Sequence, residues 1–173
     1  MAEPREKQIE DIIEDYGDAM INFAYTYVKN WSTAEDVVQD ALIKVYDRLH
    51  TFGRSSSIKT WLFAIVANQC KDYLRKNFVK KIIVGGVREA DLAVPDSSPE
   101  QYLDAQASEK ELAERILSLP IKYREVIVLH YYEDLSVSEI SEFLGANLST
   151  VKSRLQRARK KLRSALEEVW DYA

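Results

Sequence analysis

Residues 136–163 read SVSEISEFLGANLSTVKSRLQRARKKLR. Ser136-Val137-Ser138-Glu139 has capping-box spacing: the serine side chain takes the N–H three residues on, and the glutamate reaches back to the serine N–H. That spacing predicts a short helix to Leu144, a glycine C-cap at Gly145 and a long helix from about Ser149. A capped short helix, a glycine turn and a longer helix make up a helix-turn-helix, with Ile140, Leu144, Val151 and Leu155 as its small core. Along the last helix Val151, Leu155, Ala158, Leu162 and Leu166 recur on one face. Lys152, Ser153, Gln156, Arg157 and Lys160 fall opposite, with Arg154, Arg159 and Arg163 near the flanks.

Recognition helices read base edges with residues near their N-terminus, the end that enters the major groove. Here those are Ser149, Thr150, Lys152, Ser153, Gln156 and Arg157. Arg and Gln suit bidentate contacts to guanine and adenine edges, and hydroxyls suit phosphates. Taken alone, the run of charge favours a solvated helix face or a helix lying on a membrane surface over DNA binding. The capped first helix and the glycine turn favour DNA.

The surrounding composition is consistent with an all-α protein. The 173 residues hold only 5 Gly and 4 Pro, and long 3.6-residue periodicities dominate over strand-like alternation. No stretch approaches the ~20 apolar residues of a membrane span. The acidic start, MAEPREKQIEDIIEDYGD, has no signal-peptide core. One cysteine, Cys70, excludes an internal disulfide and a cysteine zinc cluster. A reduced, cytoplasmic protein with neither metal nor cofactor is the expectation.

The net charge of −4 hides a segregated distribution. Residues 1–50 hold 5 Lys/Arg against 11 Asp/Glu, residues 51–81 hold 7 against 1, and residues 82–120 hold 3 against 8. Seven basic residues and no acidic one lie between 152 and 163. Blocks of opposite sign point to separate acidic and basic partners.

The N-terminal half reads as three helices around a small core. The first covers Glu6 to Lys29, with Ile9, Ile12, Ile13, Tyr16, Met20, Phe23, Ala24 and Tyr27 inward. The second is opened by a capping box at Ser32-Thr33-Ala34-Glu35 and continues to about Leu49, with Val38, Ala41, Leu42, Val45 and Leu49 inward. Its outer face carries Asp36, Gln39, Asp40, Ile43 and Asp47. An apolar anchor among aspartates has the composition of a protein-binding patch, but taken alone a solvated face with one stray isoleucine is the better reading. The third helix runs from Ile58 to about Lys76. Ile58, Trp61, Leu62, Ile65, Val66 and Tyr73 form its apolar face, with Thr60, Ala64, Ala67 and Lys71 opposite and Asn68 and Arg75 alongside. Small residues beside cations allow close approach to a nucleic-acid backbone, and the preceding Arg54, Ser55, Ser56 and Ser57 supply donors. Trp61 fits a core position better than a stacking platform. From about Asn77 to Glu100, Gly85-Gly86 and Pro95-Asp96-Ser97-Ser98-Pro99 read as a linker, and a further helix is expected from Pro99–Gln101 to Leu119. Pro120 then occupies the first turn of a helix running to about Tyr132.

These features together resemble one family, the extracytoplasmic-function sigma factors of the sigma-70 group. Ala34-Glu35-Asp36-Val37-Val38-Gln39-Asp40, Thr60-Trp61-Leu62 and Ala67-Asn68 look like its region two. Leu119-Pro120, Leu135-Ser136-Val137-Ser138-Glu139-Ile140-Ser141 and Thr150–Arg159 look like region four. The chain departs from many members in carrying Ile58-Lys59, where they have an aromatic before the Thr-Trp-Leu triplet.

The resemblance implies two small helical domains, region two over residues 1–81 and region four over 101–173, joined by a flexible acidic linker over 82–100. It implies that Asp36, Gln39, Asp40, Ile43 and Asp47 dock on the clamp helices of the largest subunit of core RNA polymerase. Arg54, Ser55, Ser56, Ser57, Lys59, Thr60, Ala64, Asn68, Lys71 and Arg75 would recognise and help open the minus-ten element of promoter DNA. Ser149, Thr150, Lys152, Ser153, Arg154, Gln156, Arg157 and Lys160 would read the minus-thirty-five element. An anti-sigma factor is a further implied partner, able to hold the protein at the inner membrane face, and no small-molecule substrate is implied. A stand-alone helix-turn-helix regulator is the alternative, and would bind a duplex operator without polymerase. Catalysis is not expected: His50, His130 and Cys70 sit in no recognisable catalytic motif.

Overall fold

The computed structural model describes residues 4–53, 55–85 and 107–170. The chain divides into two compact units, Met1–Asp96 and Ser97–Ala173. Among the described residues all regular structure is helical.

The first unit contains α1 (Arg5–Val28), α2 (Trp31–Arg48), a 3₁₀ turn (Leu49–Thr51) and α3 (Ile58–Gly85). Lys29 ends α1 in a left-handed conformation (φ 57°), and its N–H donates to the Tyr25 carbonyl at 2.8 Å. The expected capping box at Ser32 is not the start of α2. Asn30 is the N-cap, its side chain accepting from the Thr33 N–H at 2.9 Å. Asn and Ser cap by the same reach to the N–H three residues on, and the asparagine takes that role here, so the helix begins two residues earlier than the Ser-x-x-Glu spacing suggests. Across the same junction Tyr25 and Trp31 stack at 4.0 Å between ring centroids.

The core of this unit is built from Met20, Phe23, Ala24 and Tyr27 of α1, Ala34, Val38, Ala41 and Val45 of α2, and Leu62, Phe63, Val66 and Cys70 of α3. Alanines at Ala24, Ala34 and Ala41 let the helices approach closely, and Phe23 stacks on Phe63 at 4.7 Å. Burying each of these rings stabilises the unit by roughly 1.5–3 kcal/mol. Two expectations fail here. Ile13 is 47% exposed although Ile12, the residue before it, is buried, because Ile13 lies about 100° round the helix, outside the covered stripe of α1. Ala67, expected on the outer face of α3, is 1% exposed. Helix α3 packs on α1 and α2 at once, so Phe63, Ala67 and Cys70 form a second buried side beside Leu62 and Val66.

Helix α3 also continues past its expected end, as residues 77–85 remain helical. Phe78, Val79, Ile82 and Ile83 are exposed there. Once the helix leaves the core no single face is selected for burial, so the periodicity that marks a helix in sequence fades while the backbone stays helical. Residues 77–85, read from the sequence as the start of the linker, are therefore helical, and the part from 86 to 100 lies outside the described residues.

The second unit holds α4 (Ala107–Ser118), α5 (Ile121–Ile127), a π-helical turn (Val128–Tyr132), α6 (Val137–Leu144) and α7 (Leu148–Trp170). The expected start of α4 near Pro99 is outside the described residues. Pro120 is the N-cap of α5 rather than its first helical residue, its carbonyl accepting from Tyr123 and Arg124 N–H groups at 2.9 and 3.0 Å. The buried Arg124 guanidinium donates to the Leu119 carbonyl at 2.7 Å, satisfying an acceptor just past the end of α4. Ile116, Leu119, Val126, Leu129, Ile140, Val151, Leu155 and Ala158 make up most of the core.

Candidate DNA and polymerase interfaces

Both ends of α6 are fixed by their own hydrogen bonds. The Ser136 hydroxyl accepts from the Glu139 N–H at 3.2 Å, and the Glu139 carboxylate accepts from the Ser136 N–H at 2.7 Å, completing the capping box. Those hydrogen bonds, from the Ser136 backbone first and its side chain second, hold the Glu139 carboxyl below the usual range. At the other end Gly145 takes φ +61°, a conformation costly for a residue with a Cβ. Its N–H donates to Glu142 at 3.3 Å and the Ala146 N–H to Ser141 at 3.1 Å, the paired bonds of a Schellman motif. The Ser141 hydroxyl closes the same turn by donating to the Ala146 carbonyl.

Helix α7 is capped by Asn147, which the sequence reading missed. Its side-chain oxygen accepts from the Thr150 N–H at 2.8 Å and the Ser149 hydroxyl at 2.9 Å. The signal was present, an Asn two residues before Ser149, but Ser149 and Thr150 compete for the same role. With the helix entry fixed, Val151, Leu155 and Ala158 face the core, while Ser149, Lys152, Gln156, Arg157 and Lys160 are exposed and Thr150 and Ser153 half-buried. Arg154 is turned back towards α5, 3.8 Å from the buried Glu125 carboxylate.

In the first unit, Ser57 starts α3. Its hydroxyl accepts from the Thr60 N–H at 3.1 Å and shares a hydrogen bond with the Thr60 hydroxyl at 2.8 Å. Ser55 is exposed and Ser56 half-buried; Arg54 lies outside the described residues. The Lys59 ammonium sits 5.3 Å from the Phe63 ring, and Trp61 is half-buried against Phe52 at 5.2 Å, a packing role rather than an open platform. Further along, Ala64 and Lys71 are half-buried, and Asn68 and Arg75 exposed. Arg75 pairs with Asp72 at 2.8 Å.

The outer face of α2 presents Asp36, Gln39, Asp40 and Asp47 to solvent, and Ile43 is 63% exposed among them. Asp40 accepts a long 3.4 Å hydrogen bond from Gln69 of α3. An apolar side chain this open, bounded by carboxylates, can seat in a partner's pocket while the rim steers a basic surface.

Residues 12–78 match the family Sigma-70 region 2, and residues 109–162 match Sigma-70, region 4. The ECF RNA polymerase sigma factor SigW of Bacillus subtilis is 33% identical over 92% of this chain and 89% of its own length. The chain belongs to the ECF sigma factors.

A second relative, RNA polymerase sigma factor SigV of Bacillus subtilis, is 34% identical over 89% of this chain and 88% of its own. Among solved structures, the sigma factor RpoE from Bartonella quintana, in complex with the anti-sigma factor NepR, superposes with a TM-score of 0.78 at 27% identity. That likeness covers 93% of this chain and 98% of the other. CnrH, solved with the cytosolic domain of CnrY, gives 0.64 at 25% identity over 94% and 90%. The two matched segments of this sigma factor span α1 to α3 and most of α4 to α7. Every row described above falls within one or the other. These likenesses favour a sigma factor over a stand-alone regulator.

The two histidines have no place in these rows. His130 of this sigma factor holds the carbonyl of Leu135 through Nδ1 at 2.8 Å, bracing the turn into α6. Among the described residues no helix is long and apolar enough to cross a membrane.

Proposed function

We propose that this sigma factor uses its three rows on three different targets. The face of Asp36, Gln39, Asp40, Ile43 and Asp47 docks on core RNA polymerase. The segment from Arg54 along α3 to Arg75 captures and helps open the minus-ten element. Helix α7 reads the minus-thirty-five element as duplex. Residues 1–81, 82–100 and 101–173 then serve as melting domain, linker and upstream-reading domain. The carrying observation is the exposure of Lys152, Gln156, Arg157 and Lys160 opposite buried Val151, Leu155 and Ala158, on a helix entered through a fixed turn. Phosphate contacts supply affinity and base contacts supply register. Capture of unpaired bases offsets unstacking of a few kcal/mol per step.

The polymerase, not this chain, makes the RNA. The protein works in the cytoplasm, and an anti-sigma factor holds it inactive, a reading supported by the RpoE–NepR complex. Adding the purified chain to sigma-free bacterial core polymerase is expected to yield discrete run-off transcripts from genomic fragments. No stable complex with core, combined with tight sequence-specific duplex binding by the chain alone, would overturn the assignment.

A further inference from the structure

Tyr123 of α5 is surrounded by positive charge. The Lys122 and Lys161 ammonium groups lie 5.1 and 5.7 Å from its ring centroid, and the Arg157 side chain lies beside it. Burial raises the phenol's pKa, but Lys122, Arg157 and Lys161 outweigh it and hold the group below its ordinary value. Two hollows flank the ring. One is lined by Lys122, Ser149, Thr150 and Ser153, the other by Lys160, Lys161 and Ser164, and Tyr123 and Arg157 belong to both. No carboxylate lines either hollow among the described residues.

Cations converging on one ring repel each other, and in a chain of net charge −4 their grouping without a lining carboxylate calls for an external anion. Lysine ammonium groups and serine or threonine hydroxyls are the donors that phosphate oxygens take. We propose that Lys122 and Lys161, spaced by the Tyr123 ring, form a phosphate track beside the recognition helix that takes the backbone of the duplex whose bases α7 reads. The DNA backbone is favoured over a free phosphate because the track shares Ser149, Thr150, Ser153 and Arg157 with the base-reading end of α7. The track fixes the angle at which α7 enters the groove and carries no sequence preference itself. It rests on the duplex-reading role proposed above for α7.

The test uses holoenzyme reconstituted with core polymerase, and promoter duplexes mapped by run-off transcription. Lys122 and Lys161 are exposed, so the double variant K122A/K161A keeps its fold, checked by circular dichroism. It should bind the promoter, and a duplex with only the upstream element scrambled, more weakly by the same factor, about tenfold near physiological salt. Its log affinity against log salt should be shallower by about two. Unchanged affinity and slope in this variant, with binding lost in K152A/Q156A, would overturn the track while leaving the α7 reading in place. Unchanged binding in both variants would instead remove the α7 reading. Inorganic phosphate raising the melting temperature of the wild-type chain but not of K122A/K161A, with duplex binding unaltered, would reassign the site to a free anion and overturn the DNA source.

Discussion

The guanidinium of Arg154 stands 3.8 Å from the carboxylate of Glu125, which is only 5% exposed. Arg154 sits on α7 between the core-facing Val151 and Leu155, so the pair ties the recognition helix to α5. In sequence Arg154 belongs to an unbroken basic run. In the folded unit it is the member of that run bound to the interior.

Removing Arg154 leaves a buried carboxylate without this partner, whereas Lys152 faces solvent. R154A is therefore expected to destabilise the second unit by about 1–3 kcal/mol, and K152A by no more than ~0.5 kcal/mol. Thermal unfolding of the two variants checks the contrast. Equal, small effects would show that Arg154 is as free as Lys152.

Ser136 and Glu139 cap α6 reciprocally. S136A is expected to cost about 1 kcal/mol. Because the folded Glu139 carboxyl is held below its ordinary value, its contribution is present above the unfolded pKa and is lost as pH falls through the folded one. E139Q should flatten the acid limb of the second unit's stability profile, most visibly between pH ~4 and the folded value. An unchanged acid limb in E139Q would mean that the exposed carboxylate is screened out of the balance.

Cys70 lies fully buried beneath α1, its Sγ 3.9 Å from the Ala24 carbonyl, and burial pushes its thiol up to about 12. A folded pKa above the unfolded one gives stability that is whole below the ordinary thiol value, near 8.5, and is lost as pH climbs towards 12. C70A should lose less stability across that alkaline window. In the native chain at pH ~8, a thiol reagent should label Cys70 only as fast as the first unit opens. Rapid stoichiometric labelling without denaturant would contradict the burial.

Ile43 and Asp40 share the outer face of α2, and neither supports the core. I43S and D40K should each reduce binding to core polymerase by about tenfold or more, a loss of at least ~1.4 kcal/mol. Melting temperatures should be unaltered. Co-purification with core against a dilution series gives the measurement. Wild-type affinity in both variants would move the docking surface elsewhere.

The helix-turn-helix was readable because its determinants are local. Ser136, Glu139 and Gly145 lie within ten positions, and each acts on backbone a turn away. The outer face of α2 was readable for a similar reason, a single helical period with one packed side. Features that depend on two neighbours at once were not. Ala67 looked free until α3 was seen to bury two sides, and Ile13 looked packed because two adjacent isoleucines leave open which of them lies under the neighbouring helices; Ile12 does. The helical continuation to Gly85 escaped because burial no longer selects a face there. Lys122 and Tyr123 drew no attention, since only tertiary contact brings them beside Arg157 and Lys161 from about 35 positions away. Asn30 and Asn147 show a further gap: where several Asx, Ser and Thr residues crowd a helix start, spacing alone does not choose the cap.

The chain's only thiol is walled in by α1 and α3 in the middle of the first unit. A peroxide or a disulfide donor meets no thiolate on the folded protein, so sulfenic acid, mixed disulfide and glutathione adducts have no foothold there. Oxidation of this thiol therefore waits on opening of the first unit. At Cys70 the folded sigma factor offers an oxidant no thiolate, and the unfolding rate of its first unit sets the pace of any reaction there.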